Sequence, residues 1–455
     1  MKNEFENWLN EKSITEVECL VADLGGTARG KILPSKKFVE GLQDNSHRMP
    51  QSIFIQTISG QYANDVEGGL AHDIYNPNDT DVNIKPDFKT MRLVPWYDDP
   101  TAQVICDAYE MNGIPVENAP RHILKKILKL YEEKGLQPVV SPEVEFYLVK
   151  QNSDPDYPLE VPVGQSGRQE TGRQSYGIDA VNEFDPLFED VYNFCEQQNI
   201  DIDTMNHESG SAQMEINFQH GDPLELADQV FLFKRTLRQT ALRHKLYATF
   251  MAKPMKGQPG SALHLHQSLI DINKKDNIFG SDGSEFSEIF MQYIAGLQKY
   301  TPLLMPIYAP HVNSYKRLFA TYGSPKNINW GIANRSCGFR IPVSDKKNLR
   351  VENRLAGSDT NPYLVFAANL ASGFLGIEKK LTPTSETKES LFNQESTSLP
   401  ANVNEAILQF EENEDINNIF GEKFVKTLVA MRKVEYLAYM EVVSPWEREY
   451  LLLNV

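Results

Sequence analysis

A chain of 455 residues is long enough for two or three domains, each with its own core. Its 62 acidic against 45 basic side chains give a net charge of −17, which repels nucleic acid and anionic membrane and favours cations. With 41% hydrophobic and 24% charged residues the balance is that of an ordinary globular protein, neither disordered nor membrane-embedded.

The first segment, MKNEFENWLNEKSI, mixes acids with apolar residues and predicts a short amphipathic helix rather than a signal peptide. Cys19, Cys106, Cys195 and Cys337 are too widely spaced for a zinc or redox motif, so a reducing, cytoplasmic location is expected. From Val17 to about Ala108, the β-rich runs VECLVADL, SIFIQTI and AQVICDAY are separated by Gly, Pro, Asn and Asp clusters with no long helical period. A small strand-dominated unit is expected there. NGIPVENAP breaks the pattern, and Asn118 can cap a helix with Pro120 in its first turn that runs to Gly135. The chain therefore divides into residues 1–112 and 113–455. Beyond the division, helices and strands alternate irregularly without internal repeat, which points to an α+β domain rather than a doubly wound one. The longest helix should start at Asp222, with Pro223 and Glu225 in its first turn, and run to about Met251. Tyr363 to Ile377 is apolar but too short for a bilayer and carries Asn369 and Ser372, which predicts a buried helix.

Neither G-x-x-x-x-G-K-[ST] nor G-x-G-x-x-G after a strand is present, so metals and arginines would have to hold any nucleotide. Five segments carry candidate chemistry. In SPEVEFYLVK, Glu143 and Glu145 alternate with Val144 and Phe146, and in PGSALHLHQSL, His264 and His266 share one strand face opposite Leu263 and Leu265. In NHESGSAQMEIN, Glu208 and Glu215 bracket a small-residue loop. LRVENRLAGSDTNP sets Arg350, Glu352 and Arg354 at period two, and NSYKRLFATYGSP with NWGIANRSCGFRIP supplies Arg317, Arg335 and Arg340. Each alone reads as a wet strand face, a solvated turn or a surface ladder of ion pairs. Four strand-like segments that all place polar groups at alternate positions are better explained by one shared polar cavity. Five Glu and one His make a hard, oxygen-rich set suited to Mg²⁺ or Mn²⁺. Two ions with several arginines make a phosphoryl-transfer site.

Together these segments resemble the glutamine synthetase family in order, spacing and flanking residues, from about Val17 to the C-terminus. The resemblance implies an α+β fold: a small N-terminal β-grasp domain and a large catalytic domain with a curved antiparallel sheet flanked by helices. It implies one metal on Glu145, Glu208 and Glu215 and a second on Glu143, Glu352 and His264. It gives His266, Ser268, Lys347 and Arg350 to the nucleotide, Gly260, Arg317 and Arg354 to glutamate, and Arg335 and Arg340 to the transferring phosphoryl group. ATP is the implied co-substrate, with two or more Mg²⁺ or Mn²⁺ per site. Family members build the site between subunits, so a homo-oligomer is implied, a dodecamer of two stacked hexameric rings.

One departure matters for the acceptor. Ammonia-using members carry a Tyr-Glu-Ala-Pro flap, whereas this chain reads Tyr322, Gly323, Ser324, Pro325, and SIFIQTISGQY has no clear counterpart of their ammonium-binding aspartate. PGSALHLHQS, WGIANRSCGFR and the closing SPWEREYLLLNV look more like the γ-glutamylpolyamine (γ-glutamylputrescine) synthetase branch. STSLPANV lacks the tyrosine some bacterial members use for adenylylation. The expected activity is ATP-dependent joining of the glutamate side chain to a primary amine or polyamine. Glutamine synthesis from ammonia, a carboxylate kinase and a silent sensing relative are the alternatives, separable by amine-dependent ADP release.

Overall fold

The N-terminal helix α1 (Lys2–Glu11) turns Phe5 and Leu9 into the core of a first, smaller unit. That unit continues through β1 (Glu16–Ala22), β2 (Ala28–Pro34), α2 (Ser35–Asp44), β3 (Arg48–Pro50), β4 (Asp81–Pro86), β5 (Arg92–Leu93) and β6 (Thr101–Tyr109). Its strands form a six-stranded sheet in the order β2-β1-β6-β4-β3, with β5 on β6, and β1 runs parallel to β6 while the other pairs are antiparallel. The computed structural model describes residues 2–44, 46–64, 75–76, 78–281, 286–319, 323–392, 394 and 398–455. Tyr322 of the flap, and Ser396 and Thr397 of STSLPANV, lie outside them.

Two features of this unit depart from expectation. SIFIQTI begins in a 3-10 turn (Gln51–Phe54) and forms no strand beyond an isolated bridge from Gln56 to Tyr62. The backbone N–H and hydroxyl of Ser52 both donate to Asp79, at 2.9 and 2.8 Å, and the turn still buries Phe54 and Ile55. Helix α2 interrupts the strands because SKKFVEGLQD, though short and polar, buries Phe38 and Gly41 on one side.

The second unit opens with α3 (Pro120–Glu132). Ala119, not Asn118, holds its N-cap position, without a side-chain bond, and Asn118 is buried instead. We propose the domain boundary in the interval between β6 and α3, which contains residue 113. The chain then runs through β7 (Leu136–Lys150), α4 (Ile178–Asn182), α5 (Asp185–Gln197), β8 (Ile202–His207) and β9 (Gln213–Phe218) to α6 (Pro223–Arg243). Asp222 caps α6, accepting from the N–H groups of Leu224 and Glu225 at 2.9 and 3.0 Å. The helix ends before Met251: Lys245, at φ 58°, turns the chain into β10 (Leu246–Thr249), which pairs with β7. There follow β11 (Leu263–Asp271), α7 (Glu288–Tyr300), α8 (Met305–Tyr308), α9 (Val312–Phe319), β12 (Trp330–Ile332), β13 (Phe339–Ile341) and β14 (Val351–Asn353). The chain closes with α10 (Pro362–Glu378), α11 (Val403–Glu411), α12 (Glu414–Phe420), α13 (Glu422–Met440) and α14 (Pro445–Tyr450).

The eight-stranded sheet of this unit is ordered β12-β13-β14-β11-β7-β9-β8, with β10 on β7. It is antiparallel except at one edge, where β12 and β13 run parallel. Helix α10 is buried almost throughout, as its composition predicts, and Asn361 caps it. Asn369 within it links two strands, its side-chain oxygen accepting from Gln267 on β11 (3.0 Å) and from Asn353 on β14 (2.7 Å). Between the units, Arg121 on α3 binds Asp87 and Asp107 of the first and Asp228 of α6, each at 2.8 Å. The whole is an α+β fold. Among the described residues no helix is long and apolar enough to cross a membrane.

Candidate active site

Strand register brings the polar residues to one place. Glu143 on β7 stands opposite His264 on β11, and Glu145 opposite Glu215 on β9. His266 stands opposite Glu352 on β14, which in turn faces Arg340 on β13. Side chains alternate along a strand, so these groups share one face while Val144, Phe146, Met214, Leu263, Leu265 and Val351 pack into the core on the other. The face opens on a cavity of about 630 Å³ lined by Glu143, Glu145, Glu208, Glu215, His264, Glu352, Gly260 and all of Arg317, Arg335, Arg340 and Arg354.

The ligand atoms of Glu145, Glu208 and Glu215 lie within 4.8 Å of one another, and so do those of Glu143, Glu215 and His264 and those of Glu143, His266 and Glu352. His264 Nδ1 is 3.9 Å from Glu352. Burial and the charge of Glu208 push the Glu145 carboxyl up to about 8. Burial and the charges of Glu143, Glu145 and Glu208 raise Glu215 well above the ordinary range, and burial raises Glu208 as well. Arg317 and Arg354 attract Glu145, and Arg354 attracts Glu208, but among the described residues no lysine or arginine forms an ion pair with the three, and burial outweighs that attraction; a hard divalent cation is a counter-charge that the all-oxygen set fits. Glu143 and Glu352 behave in the opposite way. Burial opposes their ionisation, but His264 and His266 hold Glu143 low, and Arg354 with the two histidines pulls Glu352 down to about 2.

The arginines are already engaged. Arg340 donates to Glu352 at 2.7 Å and Arg354 also donates to Glu352. Arg317, buried on α9, gives its two terminal nitrogens to the carbonyls of Leu355 (2.9 Å) and Arg354 (3.1 Å). It is therefore no solvated loop residue. Gly260 is required by close approach: a Cβ there would lie 2.5 Å from Arg317 Cγ and 2.6 Å from the Ala252 oxygen. Arg335 is exposed at the cavity's lining.

His266, Ser268, Lys347 and Arg350 line a separate cavity of about 370 Å³. His266 joins the two: its Nε2 lies 2.9 Å from Glu143, and Arg350 donates to its Nδ1 at 3.3 Å. Several lining residues of the larger cavity are not legible in the sequence. Gln213 donates to Glu145 (3.3 Å) and to the Gly260 carbonyl (3.0 Å), and it stands inside NHESGSAQMEIN, where the glutamates carry the charge signal. Arg173 and Tyr176 also line it, and nothing in the local pattern GRQSYG marks them.

Comparison with known proteins identifies the family. Residues 117–451 match the family model described as glutamine synthetase, catalytic domain. The gamma-glutamylputrescine synthetase PuuA of Escherichia coli (strain K12) is 32% identical over 445 residues, 96% of this chain and 92% of that one. A glutamate-isopropylamine ligase of Pseudomonas sp is 30% identical over 449 residues, 97% and 95% of the two chains. A glutamine synthetase of Methanococcus maripaludis is 32% identical over 385 residues, 82% and 84%. Among solved structures, apo GmaS without ligand superimposes with a TM-score of 0.82 at 26% identity, covering 98% of both chains, and a GmaS/ADP complex with a TM-score of 0.83. The chain belongs to the glutamine synthetase family.

Proposed function

We propose that the chain is an ATP-dependent glutamate-amine ligase whose acceptor is a primary amine or polyamine. Glu145, Glu208 and Glu215 would hold one Mg²⁺ or Mn²⁺, and Glu143, His264 and Glu352 a second. Bound there, the ions supply Lewis-acid charge and a template for phosphate oxygens. His266, Ser268, Lys347 and Arg350 would receive ATP, and a similar solved structure, GmaS, is described as an ADP complex. Gly260, Arg317 and Arg354 would hold glutamate, with Arg317 setting the backbone from which Arg354 projects. The glutamate γ-carboxylate attacks the γ-phosphorus of ATP, giving γ-glutamyl phosphate and ADP, while Arg335 and Arg340 neutralise developing charge. The amine then attacks the carbonyl carbon, phosphate leaves and the amine loses a proton.

The observation that carries the choice of acceptor is Gly323. It lines the cavity at φ +98°, a backbone conformation in which an L side chain is strained, and open space surrounds it. A glutamate that selects and deprotonates ammonium would be strained in that conformation. A carboxylate at about 4 Å from an ammonium contributes ~4 kcal/mol at an effective dielectric near 20, before desolvation is subtracted. Without it the pocket is wider and less negative, and it suits an alkyl amine. PuuA and the isopropylamine ligase are relatives whose names carry larger amines. The Methanococcus relative favours ammonia as a second reading. Phosphate release and γ-glutamyl amide formation across an amine panel that includes ammonia decide between them, and higher efficiency with ammonia than with every amine overturns the amine reading. We further propose a cytoplasmic homo-oligomer, a dodecamer of two stacked rings, which sedimentation velocity tests.

A further inference from the structure

A third cavity, of about 650 Å³, opens between the β1–β2 turn, α6, β10, the start of α9, the segment after Gly357 and α13. Phe250, Val312 and Tyr436 give it an apolar wall, and Lys234, Arg238 and Lys316 bring positive charge. Neither Lys234 nor Arg238 has a carboxylate ion-pair partner among the described residues. Lys234, buried on α6, donates to the carbonyls of Ser358 (2.7 Å) and Thr360 (2.8 Å), and Arg238, one turn further on, lies 5.1 Å from the Phe250 ring centre. The remaining cation at the wall, Arg432, is paired with Glu435 at 2.6 Å. In a chain of net charge −17, a buried ammonium whose hydrogen bonds go to carbonyls and which has no carboxylate within ion-pair distance makes a corner suited to an anion, although Asp359 attracts it from farther off. Burial pushes the Lys234 ammonium down to about 7, so an anion beside it also favours its charged form.

This cavity and the polar one have no lining residue in common, but neighbouring residues and two polar contacts connect them. Lys316 lines the first and its neighbour Arg317 the second. Asp359, at the wall of the third cavity, attracts both Lys234 and Arg317 and accepts from Ser314 on α9 at 2.6 Å. The Ser358 hydroxyl donates to the Glu145 carbonyl at 2.5 Å. We propose that the third cavity is a regulatory site for a small organic anion with an apolar body, a carboxylate or a phosphate monoester, whose binding changes the affinity for glutamate. The second half of this proposal rests on the ligase reading; the first half does not. By linkage, glutamate changes the affinity for the anion by the same factor.

The test is calorimetric titration of the full chain with 3-phenylpropionate, phenyl phosphate and neutral 3-phenylpropionamide. Binding of at least one anion, at one site per chain, is expected to persist with saturating glutamate and ATP, with none for the amide. Arg238→Gln, a change at an exposed side chain, should weaken anion binding about tenfold or more, as should the near-isosteric Lys234→Met. The anion should shift KM for glutamate in the wild type and not in Arg238→Gln. Which anion binds identifies carboxylate or phosphate as the source. No anion binding, equal binding of the amide, displacement by glutamate, or unchanged binding in Arg238→Gln each overturns the site. Anion binding in a protein without ligase turnover keeps the site and removes the proposed function.

Discussion

Asp87, Asp107 and Asp228 meet around Arg121, and Glu145, Glu208 and Glu215 meet with no lysine or arginine of the described residues paired to them. Burial opposes ionisation of Asp107 and Asp228 in the first group and of all three glutamates in the second, and at Asp228 it prevails even beside Arg121. At Asp107 the charges of Arg121 and Lys125 outweigh it and hold the carboxyl low, whereas at Glu145 burial and a neighbouring carboxylate push the same way. The first cluster is complete within the chain and joins the two units. The second has no such partner within the described residues, and on the proposed reading a divalent cation would complete it, its repulsion kept for chemistry rather than cancelled for stability.

Four changes break or sharpen that contrast. The largest effect is expected for Glu215→Gln, which should lower turnover about 10³-fold or more through loss of an ion's charge stabilisation. The same change should leave metal-free stability unchanged or raise it and should diminish the rise in Tm on adding Mn²⁺. Full turnover, or undiminished Mn²⁺ stabilisation, removes Glu215 from the metal set. Glu352→Ala is the less clean choice, since it also deprives Arg340 and Arg354 of their partner. At the other cluster, Arg121→Met should destabilise by about 3–5 kcal/mol in urea unfolding, because Asp87 and Asp228 lose their cation and Asp107 is left with Lys125 alone. Combining it with Asp107→Asn and Asp228→Asn should recover part of the loss. If Arg121→Met alone unfolds no earlier than wild type, the contrast fails.

A third pair tests the sign with pH. Burial opposes ionisation of Glu435, yet Arg432, His311 and the Ile58 N–H hold it at about 2. Its folded value lies below its ordinary value of 4.5, so its contribution is present above pH 4.5 and is lost as pH falls toward 2. That contribution is at most ~3 kcal/mol. The stability gap between wild type and Glu435→Gln should therefore narrow steadily below pH 4.5, and a constant gap would show that the pair is not responsible. The smallest expected effect is at Arg317→Lys, where an ammonium replaces a planar fork. KM for glutamate should rise about tenfold with KM for ATP little changed. Equal effects on both substrates would reassign Arg317.

The parts of the site carried on strands were legible because period two is written in the sequence: Glu143 and Glu145, His264 and His266, and Glu352 with its flanking arginines. Their cross-strand partners were not, since register depends on turns and packing far along the chain. Gln213 is silent in sequence because an amide between two glutamates carries no charge signal. The third cavity lay beyond reach for a related reason. Lys234 stands in the middle of α6 among apolar and charged residues alike, and a buried lysine looks in sequence like any solvated one. In the fold, SIFIQTI misled because apolar β-formers also fill buried turns, and Ser52 with Asp79 decides the matter only in three dimensions.

Asn369 ties Gln267 to Asn353, and those two residues sit between the polar groups of β11 and β14. His266 and Glu352 therefore cannot drift independently of one another, since a shift of either strand strains one shared amide buried behind both. The Gly323 end of the cavity is a loop with open space around it. On the proposed reading the half that would handle phosphate is braced by a shared buried amide, while the half that would receive the amine has room for a different side chain. One family can in this way hold relatives named for ammonia's product, for putrescine and for isopropylamine without rebuilding the shared chemistry.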